Sequence, residues 1–307
     1  MKQSPMIYAN LLHLSYNMWG DWKHPKAGPH WCAQPYLRFD EKLWNDLLAQ
    51  MVKVGMNMVV IDVGDGVRFK SHPEIAVDGA WSCERLHTEV KRLREMGLEA
   101  IPKLNFSTCH DHWLGPYARM VATPRYYEVA KNLIAETIDL FDKPRFFHLG
   151  MDEENERNQR HFEYAVIRQH DLWWRDFNFL VNQVEQGGSR AWIWSDHVWH
   201  HADAFWAKMP QKVLQSNWYY GGKFSDDIKG VGTYRDLNDH DFDQIPTLSN
   251  WTTPTNIAGT IDYCRKHIKP DRLTGFLLAP WRPTLPETRA KHMEAIEHFA
   301  KAIEKEN

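Results

Sequence analysis

The apolar residues of this chain fall into eight short runs, each followed by a helix-patterned or helix-sized segment. That alternation restricts the fold more than any other feature, because strands that alternate with helices pair in parallel through right-handed crossovers. The runs are Met6–Ser15, Met56–Gly64, Leu98–Ser107, Arg145–Gly150, Arg190–Asp196, Lys212–Trp218, Ile245–Trp251 and Leu273–Trp281. They read as nearly continuous apolar stretches, as parallel strands buried on both faces do. Between them the periodicity predicts helices over Glu41–Val54, Cys83–Met96, Arg125–Phe141, His161–Gln186, Ala202–Lys208, Ile257–His267 and about 287–305. In the first of these, Leu43, Trp44, Leu47, Leu48, Met51 and Val54 share one face; Asp40 is placed to cap it and Gly55 to stop it. The segment Gly221–Asp243 is polar and glycine-bearing, with little helical pattern. Eight such units predict one (β/α)8 TIM barrel spanning residues 1–307. The alternative, a doubly wound open sheet, lacks a fingerprint: "VGDGVRF" holds only a lone G-x-G.

Composition narrows the function. The formal net charge is −3, with no lysine- or arginine-rich block. Neither a nucleic-acid partner nor a membrane surface is therefore expected. The N-terminal "MKQSPMIYAN" has no long apolar segment, so no signal peptide or membrane span is read there, and a cytoplasmic location is the expectation unless a leader has been removed. Four scattered cysteines form no C-x-x-C pair and read as free thiols. The fifteen tryptophans stand out, and many follow the predicted strands. Such rings fill cores, and they also wall pockets in which the flat apolar faces of sugars stack.

A barrel of this kind carries its chemistry at the carboxyl ends of its strands. Those ends supply Tyr16, Asn17 and Trp19; Asp62 and Asp65; Asn105, His110, Asp111 and His112; His148, Asp152, Glu153 and Glu154; Trp194, Asp196 and His197; Asn217, Trp218 and Tyr219; Asn250 and Trp251; and Trp281 with Arg282. The densest charge follows the fourth run, in "RFFHLGMDEEN". Acids at that place also suit a helix N-terminus. Clustered carboxylates, however, push each other's pKa apart, so that one can stay protonated while its neighbour ionises. Cleavage of a glycosidic bond needs that division of labour.

"HLGMDEE" resembles the H-x-G-G-D-E motif that ends strand 4 in glycoside hydrolase family 20, the β-N-acetylhexosaminidases. His148, Gly150, Asp152 and Glu153 match it, with Met151 in place of the second glycine. "IPKLNFSTCH" is similar to the family's I-P-E-I-D-x-P-G-H segment through Ile101, Pro102 and His110. The resemblance implies a β-linked 2-acetamido sugar as substrate and substrate-assisted, retaining hydrolysis. Asp152 would orient and polarise the acetamido group, and Glu153 would be the general acid/base. Together with the strand-end positions it gives a carbohydrate-binding pocket built from Asn17, His110, His148, Trp194, Asp196, Trp218, Tyr219, Asn250, Trp251 and Trp281; Tyr219 or Tyr220 is expected to donate a hydroxyl by its place after the sixth run, not by motif. No cofactor and no metal is expected.

The chain departs from the family at further places besides Met151. Asn17 stands about where the family's strand 1 carries a sugar-gripping arginine, and Lys103 and Asn105 replace the strand 3 acids. Two other readings stay open. His110, His112, His148, Asp152, Asp196, His197, His200 and His201 are residue types that could ligate a metal in a sugar isomerase or an amidohydrolase-like enzyme. A carbohydrate-binding barrel without catalysis is the second. Glu154 has no assigned role.

Overall fold

The structure, a computed structural model, describes residues 5–20 and 30–304. Its eight principal strands are β1 (Ile7–His13), β2 (Met58–Asp62), β3 (Glu99–Lys103), β4 (Phe146–His148), β5 (Arg190–Trp194), β6 (Leu214–Ser216), β7 (Thr247–Leu248) and β8 (Gly275–Leu278). All pair in parallel, in the order β6-β5-β4-β3-β2-β1-β8-β7. Backbone N–H groups of Ile245 and Thr247 donate to Gln215 and Asn217, each at 2.9 Å, and link β7 back to β6. These pairings make a nearly closed (β/α)8 TIM barrel. A sheet that closes on itself in this way leaves little edge to mispair.

The continuous apolar runs have a simple cause. Ile7, Ala9 and Leu11 point into the barrel with Met58, Val60, Ile101, Trp192 and Leu277. Leu12, Val59, Ile61, Phe276 and Leu278 point out against the helices. Both faces of the sheet are covered, so both sets must be apolar. At the carboxyl end the inward pattern changes. His13, Asp62, Lys103 and His148 occupy the next inward positions, all fully or almost fully buried. Lys103 Nζ donates to Asp62 Oδ2 at 2.5 Å, and His13 Nδ1 lies 3.3 Å from the same oxygen. A charged pair this deep is tolerated because each charge meets an opposite one.

The helices form the outer layer: α1 (Glu41–Lys53), α2 (Cys83–Glu95), α3 (Pro124–Leu140), the short rim helix α4 (Glu156–Gln159), α5 (His170–Gln186), α6 (Val198–Lys208), α7 (Lys229–Asp239), α8 (Thr255–His267) and α9 (Arg289–Glu304). Asp40 caps α1, accepting from the Leu43 N–H at 2.6 Å, and Gly55 follows its end with φ +78°.

Three helices differ from expectation. The predicted helix 161–186 begins only at His170. Upstream, the N–H groups of Val166 and Arg168 are taken by the side chains of Gln159 and Glu154, and His170 itself has φ 50°. Those N–H groups are therefore lost to helical bonding. The helix α6 begins four residues earlier than expected, at Val198, with a kink at His201. The polar segment 221–243 holds α7, whose buried Val231, Tyr234 and Leu237 recur every three residues. Its glycines hide this pattern, yet they serve close packing: a Cβ at Gly232 would lie 2.7 Å from the Asp226 carbonyl oxygen.

Candidate active site

The catalytic candidates leave β4 through an unusual turn. Gly150, Met151 and Glu153 have φ of 71°, 73° and 57°. Left-handed backbone at a residue other than glycine costs about 1–3 kcal/mol and persists where surroundings impose it. Here Asn105 imposes it. Its Oδ1 accepts from the Met151 N–H at 3.1 Å, and its Nδ2 donates to Asp152 Oδ1 at 2.7 Å. A Cβ at position 150 would collide with the Asn105 side chain, so that position requires glycine. The Glu153 N–H is held by Asp196 Oδ2 at 2.8 Å.

This turn sends three consecutive acids to three places. Asp152 is buried, and its Oδ2 lies 3.3 Å from His110 Nε2. Glu153 Oε2 is also 3.3 Å from His110 Nε2, but its side chain is 33% exposed. Glu154 turns away from the cavity and clamps Arg168, receiving its Nε at 2.8 Å and an Nη at 2.6 Å.

The charges follow from these contacts. Burial works against a charge on His110, but the two carboxylates outweigh it and raise its pKa to about 10. Burial would raise the Asp152 carboxyl; the His110 charge and hydrogen bond, the Lys103 charge and the Asn105 amide hold it below its ordinary value. Asp196 goes the other way. Burial and the Asp152 charge push it to about 8, so it carries a proton at neutral pH. His110 thus stabilises the fold fully below its unfolded pKa of about 6.5, and that contribution is lost as pH rises through about 10. Denaturant unfolding from pH 6 to 10 is expected to show wild type losing stability relative to His110→Gln over that window. Parallel curves for the two proteins would remove the buried imidazolium.

These acids open into a cavity of about 600 Å³. Half of its lining residues are Trp or Tyr. Trp218 and Tyr220 stack at 5.2 Å, and Trp31 lies parallel to Trp251 at 6.5 Å. Trp281 Nε1 donates to the Tyr220 hydroxyl at 2.8 Å, which leaves that hydroxyl's own proton for an acceptor. Among the expected site residues, His110, Asp152, Glu153, Trp218, Tyr219, Trp251 and Trp281 line this cavity.

Others sit apart from it. Asn17 is held by Asp65, Arg38 and the Gln34 backbone. Asn250 donates to Glu294 and to the Lys291 carbonyl on α9. His148 and Trp194 lie inside the barrel with ring centroids 4.3 Å apart, and Asp196 lies behind Glu153. Trp31 and Trp199 line the cavity but were not singled out by sequence; the available signal was their place after β1 and β5, Trp31 in the loop and Trp199 in the first turn of α6.

The histidines expected as possible metal ligands do not converge. His197 stacks on Trp173 at 3.7 Å, and His148 is inside the barrel. Among the described residues one triplet, Cys109, His110 and Glu153, presents ligand atoms within 4.8 Å of one another. It suits a metal poorly. Burial, then the neighbouring carboxylates, keep Cys109 a thiol, and His110 Nε2 is occupied by two carboxylates.

No protein-family model matches the chain, and no curated protein does. Solved structures do. A chitobiase from Flavobacterium johnsoniae aligns at 15% identity and TM-score 0.63, over 86% of this chain and 46% of its own. A β-N-acetylhexosaminidase from Bacteroides fragilis aligns at 13% identity and TM-score 0.64, over 96% and 65%. An N-acetyl-β-hexosaminidase from Streptomyces plicatus gives 10% and 0.64, over 95% and 63%. The chain spans about half to two thirds of the length of these proteins. At such identities the likeness is one of fold. Among the described residues, no helix is long and apolar enough to cross a membrane.

Proposed function

We propose that this chain is a glycoside hydrolase that cleaves β-linked 2-acetamido sugars by substrate-assisted, retaining hydrolysis. One observation carries the reading. Two consecutive carboxylates share His110, one buried and ionised, the other reaching into an aromatic-walled cavity. The names of the structural neighbours point the same way.

The chemistry follows from the two environments. The substrate's acetamido oxygen attacks the anomeric carbon while Asp152 accepts from the acetamido N–H and balances its growing positive charge. Asn105 and His110 fix that carboxylate, so little reorganisation is needed as charge develops. Glu153 gives its proton to the leaving oxygen, then takes one from the water that opens the cyclic intermediate. The hydroxyl role falls to Tyr220, whose proton is uncommitted, while the Tyr219 ring packs on Phe224. Trp218, Trp251 and Trp281 provide stacking faces for the sugar.

Asp152→Asn is expected to lower kcat by roughly 100-fold or more, the scale for one preorganised electrostatic contact. A near-normal rate in that variant would remove the acetamido mechanism. The reading as a whole is tested with aryl β-glycosides with and without a 2-acetamido group, each run with EDTA and with an N-acetylglucosamine thiazoline. Turnover confined to acetamido sugars, blocked by thiazoline and indifferent to EDTA, is the expected result. Turnover without the acetamido group, or its loss in EDTA, would overturn it.

A further inference from the structure

A buried cation lies under the acid turn. Leu104 and Phe106 face the helices, so Lys103 and Asn105 share the inward face of β3 and its extension. Asn105 holds Asp152 directly, and Lys103 is the next inward residue below it. Lys103 is fully buried, stands opposite His148 in the ladder between β3 and β4, and donates from Nζ to Asp62 on β2. It occupies a place where the resembling family has an acid, so this charge belongs to this chain and not to the likeness.

His148 ties this layer to the turn. Its Nδ1 accepts from the Gly150 N–H at 3.0 Å, which requires that nitrogen to carry no proton. Burial, then the Lys103 charge, keep His148 uncharged. The cation therefore bears on the turn twice, through space on Asp152 and through the neutral imidazole that holds Gly150. Other groups face Asp152 as well: His110 and Cys109 from the loop after β3, Glu153 beside it, Asp196 from the end of β5 and Tyr220 after β6. Of all these, His110 and Lys103 are the cations. His110 Nε2 serves both carboxylates at 3.3 Å, so its charge does not tell them apart. Lys103 does, because it is fully buried beneath Asp152 while the Glu153 side chain is 33% exposed at the cavity.

We propose that Lys103 is a positioning residue for the reaction: its buried charge, set under Asp152 and not under Glu153, fixes which of the two carboxylates is the anion and which carries the proton. The proposal rests on the proposed function, which gives the two acids different tasks. Asp152 must be ionised to receive the acetamido N–H. Glu153 must be protonated to release the leaving oxygen. Two adjacent carboxylates that share one imidazolium can hold a single proton in either place. A cation below one of them removes that degeneracy, since an opposite charge favours the ionised form of the nearer acid. Lys103 touches no substrate, and its effect passes through Asp152 and His148.

The test is the acid limb of kcat/KM against pH, read on an aryl 2-acetamido-β-glucoside. That limb marks loss of the Asp152 anion in the free enzyme. Removing a positive charge makes the anion easier to protonate, so the limb moves to higher pH. Lys103→Gln keeps a donor for Asp62 and drops the charge. Its limb is expected to lie about one pH unit above that of wild type, with the plateau rate changing less than the rate at acid pH. A limb less than about half a unit above wild type, or a uniform loss of rate with the limb in place, overturns the proposal and leaves the proposed function standing, because a lysine that only fills space and pairs with Asp62 would not move it. If Lys103→Gln does not fold, Lys103→Met/Asp62→Asn replaces it and leaves no unpaired charge. Asp62 stands one strand further from Asp152, so the limb is still expected to rise, and an unmoved limb overturns the proposal. If no glycoside is cleaved, the proposed function fails, and Lys103 is judged by the Asp152 carboxyl itself. Its titration is followed by NMR of the aspartate carboxyl carbons, with Asp152→Asn assigning the signal. A midpoint about one unit higher in the variant supports the placement of charge; an unchanged midpoint overturns it.

Discussion

Glu153→Gln is expected to abolish measurable turnover of unactivated glycosides while leaving the fold intact. The amide keeps the shape of the side chain and loses only the exchangeable carboxyl proton. General acid catalysis contributes roughly 10²–10⁴-fold, so the loss in kcat should reach that scale. The structural cost should be modest because the side chain is one-third exposed, its backbone N–H rather than its carboxyl binds Asp196, and Asp152 still faces His110 when the Glu153 carboxyl is replaced. A further signature separates a proton donor from a mere contact. An aryl glycoside with an acidic phenol needs little protonation to leave, so its kcat should fall much less than that of a methyl glycoside. Equal losses on both, or retention of most of the rate, would show that Glu153 is not the acid. Unfolding of the variant should stay cooperative, with a midpoint lowered only by the Glu153 share of the contact with His110.

Glu154→Ala should do the opposite, leaving chemistry and removing stability. Glu154 is 2% exposed and Arg168 is fully buried. The pair is tied together further, since Glu154 also accepts from the backbone N–H groups of Thr108 and Arg168. Truncating the acid strands a guanidinium in the interior, with Asp176 at 3.4 Å as its remaining carboxylate. Breaking such a pair from one side costs about 3–5 kcal/mol. With an unfolding entropy of about 2.1 cal/mol/K per residue over the chain, the midpoint should fall by roughly 5–8 °C. Activity well below the transition should stay within a few-fold of wild type. A stable variant with no activity would place Glu154 in the chemistry instead.

These two variants differ by one sequence position, and that contrast marks what the sequence could and could not say. The barrel was legible. Continuous apolar runs of strand length, separated by helix-length segments, leave parallel closure as the arrangement that buries both faces. The location of the candidate cavity was legible too, because acids and tryptophans gather after the runs and several of them line it. The motif likeness singled out Asp152 and Glu153 as well. The fates of the three acids were not legible. They are decided by left-handed backbone at Met151 and Glu153, residue types that give no sign of it. That conformation is imposed by Asn105 and Asp196, more than forty positions away in either direction along the chain.

The same holds for the remaining site residues. Asn17 and Asn250 stand at strand ends, as pocket residues do, yet their amides are used by Asp65, Arg38 and Glu294. Lys103 stands where the resembling family has an acid, and only its contact with Asp62 in the closed barrel explains a buried cation there. Periodicity in the sequence determined which faces are buried and therefore the fold. Which polar groups face one another, and so which of them remain free to act on a substrate, was decided by the tertiary structure, because hydrogen bonds and ion pairs join residues that local pattern cannot connect.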